Sequence, residues 1–171
     1  LHAHLDRYLI TDDVRIERRS TALAEFFVTG PTAGDVLGRG GIDVAELAAD
    51  HHRSVSHEGS TISVRRIDLL KQPGFLVVAP NEGGARLAAN WAAWGAVPAG
   101  RNAWEALRIE AGVPLYGVDL TDENLAQEAM RTARCVSFTK GCYLGQEPIA
   151  RLDALGHVNR QLAGIELPTV D

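Results

Sequence analysis

The segment from Lys140 to Arg151 is the densest group of reactive side chains in this 171-residue sequence. A thiol, an ammonium, a guanidinium, a carboxylate and a carboxamide surround two glycines, Gly141 and Gly145, which permit backbone conformations that other residues resist. Lys140 lies two positions before Cys142. A cation near a thiol favours the nucleophilic thiolate, so the spacing makes Cys142 a candidate reactive residue.

The two cysteines, Cys135 and Cys142, do not form a disulfide framework in a chain of this length, so a reducing, cytoplasmic location is the default expectation. Their seven-residue spacing matches no zinc pattern. A cysteine is also commonly a small, buried apolar residue, and both roles stay open for Cys142. For Cys135, between Arg134 and Val136, we expect the structural role.

A second unusual segment, residues 107–119, carries a carboxylate near a predicted helix end. Glu110 lies there among Ala and Gly residues, and Gly112 and Gly117 leave room for a close approach. Such a carboxylate can accept paired N–H donors from a flat heterocycle with an aminopyrimidine edge. A solvated helix carboxylate is the alternative, and composition alone favours it.

Composition and missing motifs exclude several function classes. The formal net charge of −5 gives no electrostatic signal for nucleic acid or an anionic membrane. No apolar run is long enough to span a membrane, and the sequence begins with no signal-peptide pattern. The six histidines lack ligands at metal-binding spacing, and Walker, dinucleotide, serine-hydrolase and zinc-protease motifs are absent. We therefore predict no metal site, no membrane segment and no direct nucleic-acid site.

Periodicity and breakers predict an α+β fold, an antiparallel sheet covered by helices on one side. We expect strands at 24–29, 53–57, 61–69 and 74–79, and helices at 32–39 and 81–94. Asn102 predicts the start of a further helix that ends at Gly112, and Thr121 predicts a cap for a helix at 122–131. A last strand is expected at 158–167. The opening residues predict the tail of a helix, so we expect a piece of a longer chain.

Both reactive segments resemble patterns of one superfamily. Residues 140–151 match K-G-C-[YF]-x-G-Q-E-x-x-[AV]-R at every defined position, which is similar to the signature of YgfZ-type folate-binding proteins. The upstream run is similar to R-x-E-x-G-x-x-L-Y-G-x-D, which those proteins share with the aminomethyltransferase (T-protein) of glycine cleavage. It is matched by Arg108, Glu110, Gly112, Leu115, Tyr116, Gly117 and Asp119. T-proteins lack the signature cysteine, which separates the two groups.

The resemblance implies three domains in a ring around a folate site. By that analogy residues 1–19 end the first folate-binding domain, and residues 20–97 form a ferredoxin-like middle domain. Residues 98–157 would return to the first domain with the folate-site helix and the signature loop. Residues 158–171 would begin a C-terminal barrel domain.

The resemblance also implies roles for individual residues. Glu110, Tyr116 and Arg108 would bind tetrahydrofolate or another reduced folate, and Cys142 would be the reactive thiol with Lys140 as its cation. The rest of the signature loop consists of Gly141, Tyr143, Gly145, Gln146, Glu147 and Arg151.

Two functions are compatible with this resemblance, beside a non-catalytic α+β module that has kept the fold but not the activity. The first is a tetrahydrofolate-binding YgfZ-type protein that supports iron–sulfur client proteins and has a possible link to tRNA modification. The alternative is an aminomethyltransferase that transfers a one-carbon unit to tetrahydrofolate. The cysteine signature favours the first interpretation, which leaves open whether the protein is an enzyme.

Overall fold

The computed structural model describes residues 2–11 and 13–168, which divide into two compact units, Leu1–Gly100 and Arg101–Asp171. The first unit contains an antiparallel sheet and three helices. Its elements are α1 (His2–Asp6), β1 (Leu23–Thr29), α2 (Ala33–Arg39), β2 (His52–His57), β3 (Ser60–Arg66), β4 (Gly74–Pro80) and α3 (Asn81–Ala93). The strand order is β1-β4-β3-β2, and every neighbouring pair is antiparallel.

The core of the first unit lies on one face of the sheet. Alternate residues of a strand point to the same face, and Phe75, Val77 and Ala79 of β4 are buried there. They cluster with Leu37 of α2 and Leu87 of α3, so both helices cover this face. The predicted α+β class, with an antiparallel sheet and helices, is therefore confirmed.

Strands β2 and β3 form a tight hairpin. His57 pairs with Ser60, and both residues between them have positive φ angles, 47° for Glu58 and 78° for Gly59. That combination defines a type I′ turn, whose twist matches the twist of the flanking strands. The turn predicted at Glu58-Gly59-Ser60 is present, with Ser60 already in β3.

The element order, β-α-β-β-β-α, differs in detail from the β-α-β-β-α-β order of a ferredoxin-like domain. Four strands precede α3, whereas three strands precede the second helix of a ferredoxin-like domain, and α3 is followed by a helix of the second unit. Strand β3 ends at Arg66, where a strand to residue 69 was expected. The chain turns there because the Asp68 carboxylate binds both Arg66 and the N–H of Gly74.

The second unit is built from short helices and loops. Its elements are α4 (Arg101–Glu110), a 3₁₀ helix (Ala126–Ala129), α5 (Thr132–Cys135) and α6 (Gln146–Leu155). Helix α4 begins one residue before the predicted start at Asn102. Within the residues described, no helix of either unit is long and apolar enough to cross a bilayer.

Two predictions about the second unit are wrong. The helix expected at 122–131 is reduced to the 3₁₀ turn, because the Asn124 side chain accepts the N–H of Thr121 and donates to Glu128. Such local side-chain bonds compete with helix formation. Residues 158–168 contain no strand, and the expected strand at 158–167 is not formed. The domain limits inferred from the resemblance stay predictions, and their last residues, 169–171, lie outside the described part.

Candidate functional site

Arg108 of α4 is buried in the second unit, with 4% of its surface exposed. Its Nε donates to Glu105 Oε2 at 2.6 Å, and its Nη1 donates to Asp119 Oδ2 at 2.7 Å. Nη2 also lies 2.6 Å from Glu105 Oε2. Hydrogen bonding to Glu105, the largest cause, and the two carboxylate charges raise the pKa of Arg108 above its ordinary value. The guanidinium therefore stays charged and paired within the protein.

The segment after α4 closes into a loop around Asp119. Asp119 Oδ2 accepts the N–H of Leu115 at 2.8 Å as well as the Arg108 bond. Nη1 of Arg108 also donates to the carbonyl of Val113 at 3.2 Å. The loop turns at Gly117, which has a φ angle of 83° that would strain the backbone of a residue with a side chain. The N–H of Gly117 donates to the carbonyl oxygen of Leu120. Charged bonds thus hold the loop on both sides.

Glu110 and Tyr116, the two residues predicted to bind folate with Arg108, lie at the surface. Glu110 is the last residue of α4 and is exposed, and Tyr116 is 68% exposed. The Tyr116 hydroxyl donates to the Asp122 carboxylate, and this bond is the main cause of its raised pKa. The folate-binding roles of these two residues stay predictions.

A cleft of about 320 Å³ adjoins this loop. Its walls include Arg108, Asp119, Met130, Arg131 and Leu162, but neither Glu110 nor Tyr116. A larger cleft of about 550 Å³ lies in the first unit, lined by residues between Pro31 and Phe75. The smaller cleft thus includes one of the three predicted ligand residues, Arg108, and the larger cleft includes none. The exposed surface around Glu110 and Tyr116 is therefore considered as the candidate site in the described chain.

Glu128, which the sequence did not indicate, is the second buried charged residue described in this unit. Its carboxylate accepts bonds from Asn124 Nδ2 at 2.9 Å and from the N–H of Leu125 at 3.3 Å, and Arg160 lies 3.5 Å away. The Asn124 bond is the largest cause of its lowered pKa. The only sequence signal was the four-residue spacing from Asn124, which is too common to single out a buried carboxylate.

The signature segment is half loop and half helix. Gly145, with a φ of 85°, ends the loop, and Gln146 begins α6, which carries Glu147 and Arg151 at its surface. The Gln146 side chain accepts the N–H of Tyr143 at 3.0 Å and so closes the turn before the helix.

The thiol of Cys142 is exposed, and so is the thiol of Cys135. The buried role expected for Cys135 is therefore wrong. The Lys140 ammonium lies 4.5 Å from the centre of the Tyr143 ring, a cation–π contact. The structure thus shows Lys140 directed at an aromatic ring, with Gly141 exposed beside Cys142. In the part of the chain described, His, Cys, Asp and Glu side chains form no group of three that could hold a metal ion.

A model of the GCVT N-terminal domain family matches residues 1–140, which include the complete loop around Asp119. The chain belongs to this family. The match ends at Lys140, before Cys142 and the rest of the signature segment. The family match therefore includes residues 108–119, the run predicted to bind folate, and does not include Cys142.

Curated relatives of this GCVT-family chain include one putative transferase and several aminomethyltransferases. A putative chloroplastic transferase of Arabidopsis thaliana is 30% identical over 95% of the chain and 38% of its own length. The aminomethyltransferase of Chlorobium chlorochromatii is 30% identical over 98% of the chain and 46% of its own length. That of Caldanaerobacter subterraneus is 30% identical over 90% and 42%. The chain thus spans less than half the length of these relatives.

The names of these relatives favour the aminomethyltransferase interpretation of the sequence over the YgfZ-type one. The preference for the YgfZ-type function in the sequence analysis is corrected accordingly. The name of the Arabidopsis relative places that protein in the chloroplast, so the cytoplasmic location stays a prediction for this family member.

Proposed function

We propose that the protein binds tetrahydrofolate or another reduced folate and transfers a one-carbon unit to it, as aminomethyltransferases do. The observation that carries the proposal is the fold of the R-x-E-x-G-x-x-L-Y-G-x-D run within the family match. Arg108 and Asp119 turn inward and bind each other, while Glu110 and Tyr116 are left at the surface. Glu110 and Tyr116, two of the three residues that the resemblance assigns to folate, are therefore exposed to solvent, which supports the proposal.

Each exposed residue has a role that its chemistry supports. The Glu110 carboxylate can accept two N–H bonds from an aminopyrimidine edge, a charge-assisted arrangement that is stronger than neutral hydrogen bonds. The Tyr116 ring can pack against the flat heterocycle beside it. A bound reduced folate would supply the nitrogen that accepts the one-carbon unit. Binding and orientation of that heterocycle are the tasks proposed for this chain.

The test is calorimetric titration of the intact protein with tetrahydrofolate, comparing the unsubstituted protein with Glu110→Gln. Because Glu110 is exposed in this chain, we expect about a tenfold loss of affinity, the lower end for a charge-assisted bond. Glu166→Gln makes the same charge change at another exposed site of the second unit and should leave the affinity unchanged. Equal affinities for all three proteins would refute the role of Glu110.

A YgfZ-type function is the second candidate, and the observation that favours it is the exposed Cys142 thiol within a fully matched signature. In that function the protein would bind folate and support iron–sulfur client proteins, with the possible link to tRNA modification. An exposed thiol is accessible for reaction, as this candidate requires.

Replacing Cys142 separates the two candidates. In a reconstituted glycine cleavage reaction with this protein as the aminomethyltransferase, Cys142→Ala should be as active as the unsubstituted protein, with Cys135→Ala as the matched control. Inactivity of the unsubstituted protein, combined with loss of iron–sulfur enzyme activity in cells carrying only Cys142→Ala, would favour the second candidate.

A further inference from the structure

We propose that Asp119 and Arg108 are positioning residues that fix the loop carrying Tyr116 against the end of α4 carrying Glu110. The inference rests on the proposed folate function. The resemblance implied that Arg108 contacts folate directly, whereas this inference gives Arg108 the role of holding Glu110 and Tyr116 in place.

One oxygen atom joins the two sides of the loop. Asp119 Oδ2 accepts bonds from Arg108 Nη1 at 2.7 Å and from the N–H of Leu115 at 2.8 Å. Arg108 belongs to the last turn of α4, whereas Leu115 immediately precedes Tyr116. The Asp119 carboxylate therefore helps to set the position of the Tyr116 backbone relative to the helix, together with the bond from Arg108 Nη1 to Val113 O.

Arg108 is poorly placed to contact a ligand itself. Only 5% of its side chain is exposed, and its Nε, Nη1 and Nη2 atoms all have partners within the protein. A guanidinium offers donors only, so these bonds leave little for a ligand.

Glu110 lies two residues after Arg108 on the same helix, and residues at that spacing point in different directions. This separation agrees with their burial, because Arg108 is buried and Glu110 is exposed. The pair of Arg108 and Asp119 therefore holds the helix end from inside while Glu110 faces outward. Loss of the pair should change where Glu110 and Tyr116 lie without removing either of them.

The test uses Asp119→Asn in the intact protein. The charge that pairs with Arg108 is lost, and a neutral amide oxygen accepts the N–H of Leu115 more weakly than a carboxylate does. We expect tetrahydrofolate to bind about tenfold more weakly, because displacement of a positioning segment affects oriented contacts strongly. Asp68→Asn is the matched control: Asp68 also joins an arginine and a backbone N–H, and its side chain is similarly exposed, 31% against 25%.

A double-variant cycle separates positioning from simple support of the fold. If Asp119 acts through Glu110, the loss caused by Glu110→Gln should be smaller in the Asp119→Asn background than alone. Full additivity of the two losses, or unchanged affinity of Asp119→Asn, would overturn the proposal.

Hydrogen exchange supplies a readout that does not depend on folate. In Asp119→Asn the N–H groups of Leu115 and Val118 should exchange faster, while that of Val77 in β4 stays protected. If the unsubstituted protein binds no tetrahydrofolate, the proposed function fails, and the positioning role for folate fails with it. Unchanged exchange at Leu115 would show that the carboxylate does not hold the loop, even in a protein that binds folate.

Discussion

An arginine, an aspartate and a backbone N–H are joined in a similar way at two places in the chain. In the first unit, Arg66 binds both oxygens of Asp68, at 3.2 and 3.1 Å, and Oδ1 of Asp68 accepts the N–H of Gly74. In the second unit, Arg108 and Asp119 form the corresponding pair, with Leu115 as the backbone donor. Each arrangement closes a loop between neighbouring parts of its own unit.

The surroundings of the two pairs differ. The Arg66 side chain is 30% exposed, and its loop joins two strands whose apolar side chains already form a core. The Arg108 side chain is 5% exposed. Among the described residues of the second unit, Arg108, Glu128 and Ala111 are the buried ones, and only Ala111 is apolar.

The comparison shows two ways of stabilising a loop. In the first unit apolar burial fixes the sheet, and a partly exposed ion pair of this kind adds little. In the second unit the Arg108 guanidinium is itself buried, and removal of a carboxylate partner would weaken the compensation of its charge. We therefore expect the first unit to be sensitive to the loss of apolar volume and the second to the loss of charge.

The largest expected effect is that of Leu37→Ala in the first unit. Leu37 is fully buried in the core, so the substitution removes apolar contacts and leaves a cavity. The free energy of unfolding should fall by about 2–5 kcal/mol. Urea denaturation followed by far-UV circular dichroism measures it.

Leu162→Ala is the matched substitution in the second unit, where Leu162 is half-buried. It should cost no more than about 1 kcal/mol. A loss as large as that of Leu37→Ala would break the comparison, because it would show that apolar burial stabilises both units equally.

An intermediate effect is expected from Glu128, the buried carboxylate of the second unit. Its bond from Asn124 lowers its pKa below the ordinary value of 4.5. A lowered pKa in the folded state gives stability that is present above the unfolded value and is lost as the pH falls through the folded value. The unfolding midpoint in urea should therefore drop as the pH falls below 4.5, partly through Glu128.

Glu128→Gln should be less stable near neutral pH and should lose less stability on acidification. Glu123→Gln, at an exposed position of the same unit, should follow the unsubstituted protein. Identical pH profiles for Glu128→Gln and the unsubstituted protein would mean that this buried charge contributes no pH dependence.

The same difference between the units explains why the structure of the first unit could be predicted from the sequence better than that of the second. The strands and helices of the first unit were predicted to within a few residues, because the continuous apolar run of β4 and the glycine turn at Gly59 are local signals. The second unit depends on bonds between distant side chains. The partner of Arg108, Asp119, lies 11 residues away, and no periodic pattern marks that pairing.

Helix α6 was missed because Gly145 and Pro148 indicate a loop. Pro148 is the third residue of the helix, within the first turn, where a proline removes no intrahelical bond. The exposure of Glu110 and Tyr116 could not be predicted from the sequence either, because the direction of each side chain follows from the closure of the loop. Motif matching named these residues without showing which of them face solvent.

The smallest expected effect concerns Tyr116, the exposed residue next to the Asp119 loop. Its hydroxyl donates to the Asp122 carboxylate, and this bond, together with burial and the negative charge, raises its pKa above 10. The protonated phenol is favoured in the folded state, so this contribution to stability is complete below pH 10 and is lost as the pH rises through the raised value.

Asp122→Asn removes the charge and should move the tyrosinate absorbance transition of Tyr116 to lower pH. Tyr116→Phe identifies that transition, since Tyr8 and Tyr143 remain in both proteins. An unmoved transition in Asp122→Asn would show that the loop does not hold Tyr116 beside Asp122 in solution, and the second unit would then be less ordered than its charged contacts indicate.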